Sequence, residues 1–236
     1  REICLTMEQM GFRPESSHHE EGPGQNEIDF RYSDPLTAAD NTMTFQTIVK
    51  TVARRNGVHV DFGPKPLEDK PGNGFHINMS VKPCDDPDNL YHMIAGVLDK
   101  IVEMTAFLNP TKASYQRFGA HKAPGYVSWS SENRSQLVRI PAAVGEYRRA
   151  ELRSPDPLAN PYLAFALMIY AALSGLESRQ PLPEAANINL YKADAQTLSR
   201  FRKLPETLNA ACSIAAESDF IKAHIPAAIL DIYCHQ

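Results

Sequence analysis

The segment from Glu15 to Phe30 gathers imidazoles and carboxylates around a turn. His18, His19, Glu20 and Glu21 precede Gly22-Pro23-Gly24, and Glu27 follows it. Glycine reaches positive φ and proline fixes its own, so the tripeptide reads as a bend. Two short strands around that bend set Glu20 and Glu27 on neighbouring strands. Carboxylates held close repel unless a cation or protons lie between them, and hard oxygen donors suit Mg²⁺ or Mn²⁺. An acidic, solvated loop is the plain alternative. A second group lies in the expected strand Phe75 to Val81, where His76, Asn78 and Ser80 share one face and Phe75, Ile77, Met79 and Val81 the other. The polar face suits a metal or a polar ligand, or is simply the wet side of an ordinary sheet. A third is the strand Arg148 to Arg153, with Arg149, Glu151 and Arg153 on one face. It reads as a surface ion-pair ladder, or as arginine forks gripping an anion beside a metal carboxylate.

These residues need elements to carry them. Ile3, Met7 and Met10 have helical spacing, with Gly11 as the stop; they look like the end of a longer helix, and the first residue, Arg1, points to a fragment. Phe12 to Tyr32 is the hairpin. Asp34-Pro35 opens a helix as cap and first residue, with Leu36, Met43, Ile48 and Val52 as its expected core stripe and Gly57 as its end. Val58 to Phe62 alternates as a strand, and Gly63 to Gly74 reads as a mobile loop. Asn89 to Leu108 is an amphipathic helix with Leu90, Ile94, Val97, Ile101 and Met104 as its stripe, capped by Asp86 or Asp88. Thr111 to Pro124 is a polar loop holding Arg117, His121 and Lys122. Tyr126 to Ser130 and Gln136 to Pro141 are short strands joined by the turn Ser131-Glu132-Asn133-Arg134. Asn160-Pro161 starts a helix to about Ser178, apolar nearly all round and therefore expected to be buried. From Ala193 on, short helices broken by Pro205 and Pro226 read as packing.

A chain of 236 residues holds one good-sized core, so one domain is expected. The net charge of −4 disfavours a nucleic-acid binder, which needs a basic face. No apolar run reaches membrane-spanning length, and the richest, Leu163 to Leu173, is short and interrupted by Tyr170. No secretory signal starts the chain. Cys4, Cys84, Cys212 and Cys234 are scattered and read as reduced thiols of a cytoplasmic protein.

The motifs together resemble the glutamine synthetase family. His18-His19-Glu20 with Gly24-Gln25-Asn26-Glu27 is similar to that family's first metal segment. Gly72-Asn73-Gly74-Phe75-His76 with Ser80 resembles its glycine-rich loop and strand. Asn133-Arg134-Ser135 with Arg139-Ile140-Pro141, and Glu151 through Pro157 with Asn160-Pro161-Tyr162, resemble its two later motifs. They fall in the family's order along almost the whole chain, closest to the bacterial dodecameric type. The resemblance implies an α+β fold, a curved antiparallel sheet backed by helices with a helical C-terminal tail. It also implies that residues 1–236 are the C-terminal part of the catalytic domain, without the N-terminal β-grasp domain and the first catalytic strands, whose Glu-x-Glu pair and partner-donated aspartate complete the site. The fragment by itself is therefore expected to be inactive.

The implied reaction phosphorylates glutamate with ATP and then lets ammonia displace the phosphate, in a homo-oligomer, a dodecamer by type. Joining two anions requires neutralisation by divalent ions and arginines. By resemblance, Glu20 and Glu27 hold the metal nearest glutamate, and His76 and Glu151 the metal nearest ATP. Arg117, Arg153 and the backbone at Gly72 bind glutamate. Arg134, Arg139 and Arg149 line the phosphate path, with Arg139 also catalytic, and Glu15, His18 and Ser80 take nucleotide-side positions. Several residues depart from the pattern: Pro71 precedes Gly72, Asn78 replaces a common histidine, and Glu146 stands near a usual lysine. Lys122 stands near the position where the family carries a catalytic glutamate that attracts and deprotonates ammonium. A lysine cannot attract ammonium, so the alignment slips by a residue, another acid serves, or the amine differs. A γ-glutamyl ligase for an organic amine and a non-catalytic assembly unit are the alternatives. Tyr191, in Asn189-Leu190-Tyr191, resembles a tyrosine that some members adenylylate.

Overall fold

A computed structural model describes residues 1–82, 86–119, 122–131, 133–143 and 145–234. Cys84, His121 and Glu132 lie outside the described residues, as does the side chain of Glu146. Helix α1 (Glu2–Gln9) leads into strands β1 (Pro14–His19) and β2 (Asn26–Phe30), an antiparallel hairpin with His18 opposite Glu27. Helix α2 (Pro35–Arg55) starts as its sequence requires: Asp34 accepts from the Thr37 amide at 3.0 Å and Pro35 takes the first position. The hairpin, α1 and α2 close over a small apolar cluster of Met7, Phe12, Ile48 and Val52.

The main body is a four-stranded sheet on a helical layer. Its strands are β3 (Ile77–Met79), β4 (Trp129–Ser130), β5 (Val138–Arg139) and β6 (Ala150–Leu152), in the order β3-β6-β5-β4. One face sends Ile77, Val138, Ala150 and Leu152 into the core, against α3 (Pro87–Leu108) and α4 (Pro161–Glu177). The whole expected stripe of α3 is buried, and Asp86 caps it. Helices α3 and α4 cross so closely that glycine is required on both: a Cβ on Gly96 would fall onto the Ala171 carbonyl oxygen and 2.7 Å from the Gly175 amide. The tail, α5 (Ala195–Leu198), α6 (Leu208–Glu217), α7 (Asp219–His224) and α8 (Ala227–Cys234), packs its last three helices against α3. No helix among the described residues is long and apolar enough to cross a membrane.

Several expectations are corrected. Leu36 and Met43 are 65% and 45% exposed. At about 100° per residue they point away from Ile48 and Val52, and Ala39, Thr42, Val49 and Ala53 complete the buried face. Residues 58–62 join no sheet among the described residues; Phe62 instead packs edge-on against Phe45. The loop from Thr111 contains a 3-10 helix, Lys112–Arg117, held by a Thr111–Ser114 capping box. Strands β4 and β5 are parallel rather than a hairpin. Their connection folds on Asn133, whose Oδ1 accepts from the Ser135 amide at 2.9 Å. Helix α4 is buried on one side only: Tyr162, Tyr170 and Leu173 are 42%, 43% and 44% exposed.

Candidate active site

The sheet's polar face is centred on Glu151. Alternation along β6 sends Ala150 and Leu152 into the core and turns Glu151 the other way, between Asn78 on β3 and Arg139 on β5. Glu151 is 8% exposed. One carboxylate oxygen stands 3.3 Å from His76 Nδ1; the other accepts from Arg139 Nε at 2.7 Å and from Arg153 at 3.4 Å. Burial alone would push this carboxyl up. The hydrogen bond and charge of His76, with the Arg153 and Arg139 guanidiniums, hold it far below the usual carboxylate range. Arg149, expected beside Glu151, donates instead to Asn78 Oδ1 at 3.1 Å and the Tyr147 carbonyl at 3.2 Å. The cross-strand neighbour Arg139 takes its place, a pairing that alternation along one strand cannot reveal.

The hairpin supplies a second cluster. His18, Glu20 and Glu27 each offer one donor atom, all within 4.8 Å of one another. His18 Nε2 lies 3.4 Å from Glu20 and 3.9 Å from Glu27. The two carboxylates supply hard oxygen donors of the kind that suit Mg²⁺ or Mn²⁺, and the imidazole adds a softer nitrogen. Burial, then the charge of Asp29, raises the Glu27 carboxyl, while His76 pulls it down, so the two clusters adjoin. Glu20 has a different environment. Burial raises it, but the Lys122 ammonium outweighs that and leaves it lowered. Lys122 Nζ is 3.2 Å from Glu20 and 3.0 Å from Glu21.

The Gly72–Gly74 loop spans the space between hairpin and sheet. Gln25, whose role spacing did not single out, donates to the Gly72 carbonyl at 3.0 Å and to Asn73 Oδ1 at 2.9 Å. A Cβ on Gly72 would fall onto the Pro64 carbonyl oxygen and 2.8 Å from Arg117 Cγ; one on Gly74 would lie 3.0 Å from His76 Nε2. Arg117 is 4% exposed, and its donors are largely taken by the Ser154 carbonyl at 3.0 Å and the Pro155 carbonyl at 3.4 Å. Burial brings its guanidinium down to about 10. Arg117 Nε, Arg153 Nε and the Tyr191 hydroxyl are buried without hydrogen-bond partners. Burial pushes Tyr191 up to about 12, while the Arg153 and Arg117 charges pull the other way, which places this tyrosine among the arginines. Its segment is fixed by the Leu190 amide on Ser135 Oγ at 3.0 Å and by Gln136 Nε2 on the Ile188 carbonyl at 2.7 Å.

The structure thus brings His18, Glu20, Glu27, His76, Lys122, Arg139, Glu151 and Arg153 together. Arg134 lines an open recess of about 320 Å³ with Ser130, Asn133 and Asn187. Glu15 sits where the hairpin register slips, between Pro14 opposite Phe30 and Ser16 opposite Asp29. Ser80 is exposed just past β3.

Comparison of the chain with known proteins leads to one group. The family model described as glutamine synthetase, catalytic domain, matches residues 1–236. The chain is 42% identical to a glutamine synthetase of Staphylococcus epidermidis over 237 residues, 94% of this chain and 53% of that protein. A Staphylococcus aureus glutamine synthetase is 41% identical over the same shares. The chain therefore spans about half the length of the curated relatives it matches. A solved GmaS/ADP complex superposes with a TM-score of 0.86 at 29% identity, covering 99% of this chain and 57% of that one. GmaS without ligand gives 0.84 at 29% identity, over 98% and 57%.

Proposed function

Because this chain belongs to the glutamine synthetase catalytic-domain family, we propose that the protein it forms part of joins glutamate and ammonia into glutamine. The reaction uses ATP and passes through a γ-glutamyl phosphate. The observation that carries this reading is Glu151, a buried carboxylate shared by His76, Arg139 and Arg153 beside the cluster of His18, Glu20 and Glu27. Glu20 and Glu27 hold one divalent cation, and His76 and Glu151 a second, Mg²⁺ or Mn²⁺ in both cases. Bound there, the cations offset the charge of the phosphates and of the glutamate carboxylate. Arg139 uses only its Nε on Glu151, so its terminal nitrogens meet the transferring phosphoryl group. Arg117, Arg153 and the Gly72 backbone hold glutamate. Arg134 and Arg149 line the phosphate path, and Glu15, His18 and Ser80 face the nucleotide. The ADP complex of a structural neighbour supports the nucleotide assignment. The working state we propose is a cytoplasmic homo-oligomer.

Lys122 favours a second reading, in which the acceptor is a primary organic amine: its ammonium already lies on Glu20 and Glu21. Full-length protein given glutamate, ATP and Mg²⁺ with ammonia or a series of primary amines distinguishes them, with amide product and released phosphate measured together. Fastest turnover with ammonia supports the first reading. Faster turnover with an organic amine supports the second. No amide with any of them, and no metal-dependent ATP binding, leaves the non-catalytic assembly role.

A further inference from the structure

We propose that the Lys122 ammonium is a built-in counter-ion of this site, competing with the divalent cation for Glu20. The inference rests on the metal reading of Glu20 and Glu27 given above. Glu20 divides its oxygens: one faces His18 Nε2 at 3.4 Å, and the other accepts from Lys122 Nζ at 3.2 Å. The lysine also holds Glu21 at 3.0 Å, a carboxylate outside the three-donor cluster. The pair with Glu20 is partly shielded, with the two side chains 33% and 23% exposed.

The backbone keeps the lysine at this place. Lys122 has φ of 69°, in the left-handed region that disfavours a long side chain. Its carbonyl accepts from Arg153 Nη2 at 3.4 Å, and the next carbonyl, of Ala123, accepts from the Gly119 amide at 2.9 Å. The chain is thus turned and tied so that the ammonium lies over the hairpin carboxylates. A dication entering between Glu20 and Glu27 meets a charge already seated on Glu20 Oε2. Like charges that close repel, so the ammonium moves off Glu20 and stays with Glu21. Glu21 is then the residue that receives the displaced lysine, and Lys122 sets how readily the site loads metal.

The test is Mn²⁺ binding to the full-length protein, by calorimetry or by the electron-spin signal of free Mn²⁺, with no substrate present. Lys122→Asn removes the charge and tolerates the left-handed backbone; Lys122→Arg keeps the charge. Partly exposed ion pairs are modest, so the Asn variant is expected to bind Mn²⁺ roughly three- to tenfold more tightly, and the Arg variant within about twofold of wild type. If the Asn variant does not fold, Lys122→Gly carries the same prediction. Unchanged or weaker binding in the neutral variant overturns the inference while leaving the metal site in place. If wild type and variants alike fail to bind Mn²⁺, the metal reading itself falls, and this inference with it.

Discussion

Glu151 concentrates the electrostatics of the site, and its sign can be tested. Its native carboxyl releases its proton more readily than an ordinary one at 4.5. In the acid range the unfolded chain therefore binds more protons, and stability rises with pH. The stabilisation is full above the ordinary carboxylate value and is lost as pH falls below it. Glu27, raised by burial, works in the opposite direction. In acid unfolding followed by circular dichroism with chelator present, Glu151→Gln should flatten the acid limb of the stability curve; a limb as steep as wild type would contradict the assignment. The sequence made His76 and Glu151 legible, because alternation places each on a polar strand face. It could not make Arg139 legible as the partner of Glu151, since that pairing depends on the register of β5 against β6. Nor could it place Tyr191, whose position is set by contacts of Ser135 and Gln136 more than fifty residues away.

At the scale of elements, local grammar served where the signal is local. Asp34-Pro35 and Asn160-Pro161 begin α2 and α4 through their own side chains. It failed where the outcome depends on a distant partner. Residues 58–62 have strand alternation, yet join no strand among the described residues, and β4 and β5 are parallel because their connection doubles back through Asn133. The crossing of α3 and α4 is the contact on which the sheet's helical support depends. Gly96→Ala would drive a methyl group onto the Ala171 carbonyl, backbone that cannot swing aside. We expect a loss of about 1–3 kcal/mol or more, read as a lower urea midpoint with an unchanged slope; an unchanged midpoint would show that the helices separate freely.

For the whole molecule, the chain carries one cluster of metal-type donors among its described residues and spans 53% of a glutamine synthetase relative. The His76–Glu151 pair by itself offers two protein donors, few for a divalent cation. Residues 1–236 alone are therefore predicted to form no glutamine, and measurable amide from them alone would refute that. Leu36, Met43, Tyr170 and Leu173 leave large apolar side chains in solvent, two on α2 and two on α4.

The most direct measurement is glutamine formation by that full-length protein with glutamate, ammonia, ATP and Mg²⁺, beside its Glu20→Gln variant. Glu20 is only partly buried, so the substitution should leave the fold intact while removing a donor from the cluster. The account predicts Mg²⁺-dependent turnover in the wild type and a loss of about a hundredfold or more in the variant, as when a group stabilising transition-state charge is removed. Equal turnover by the two proteins would contradict it.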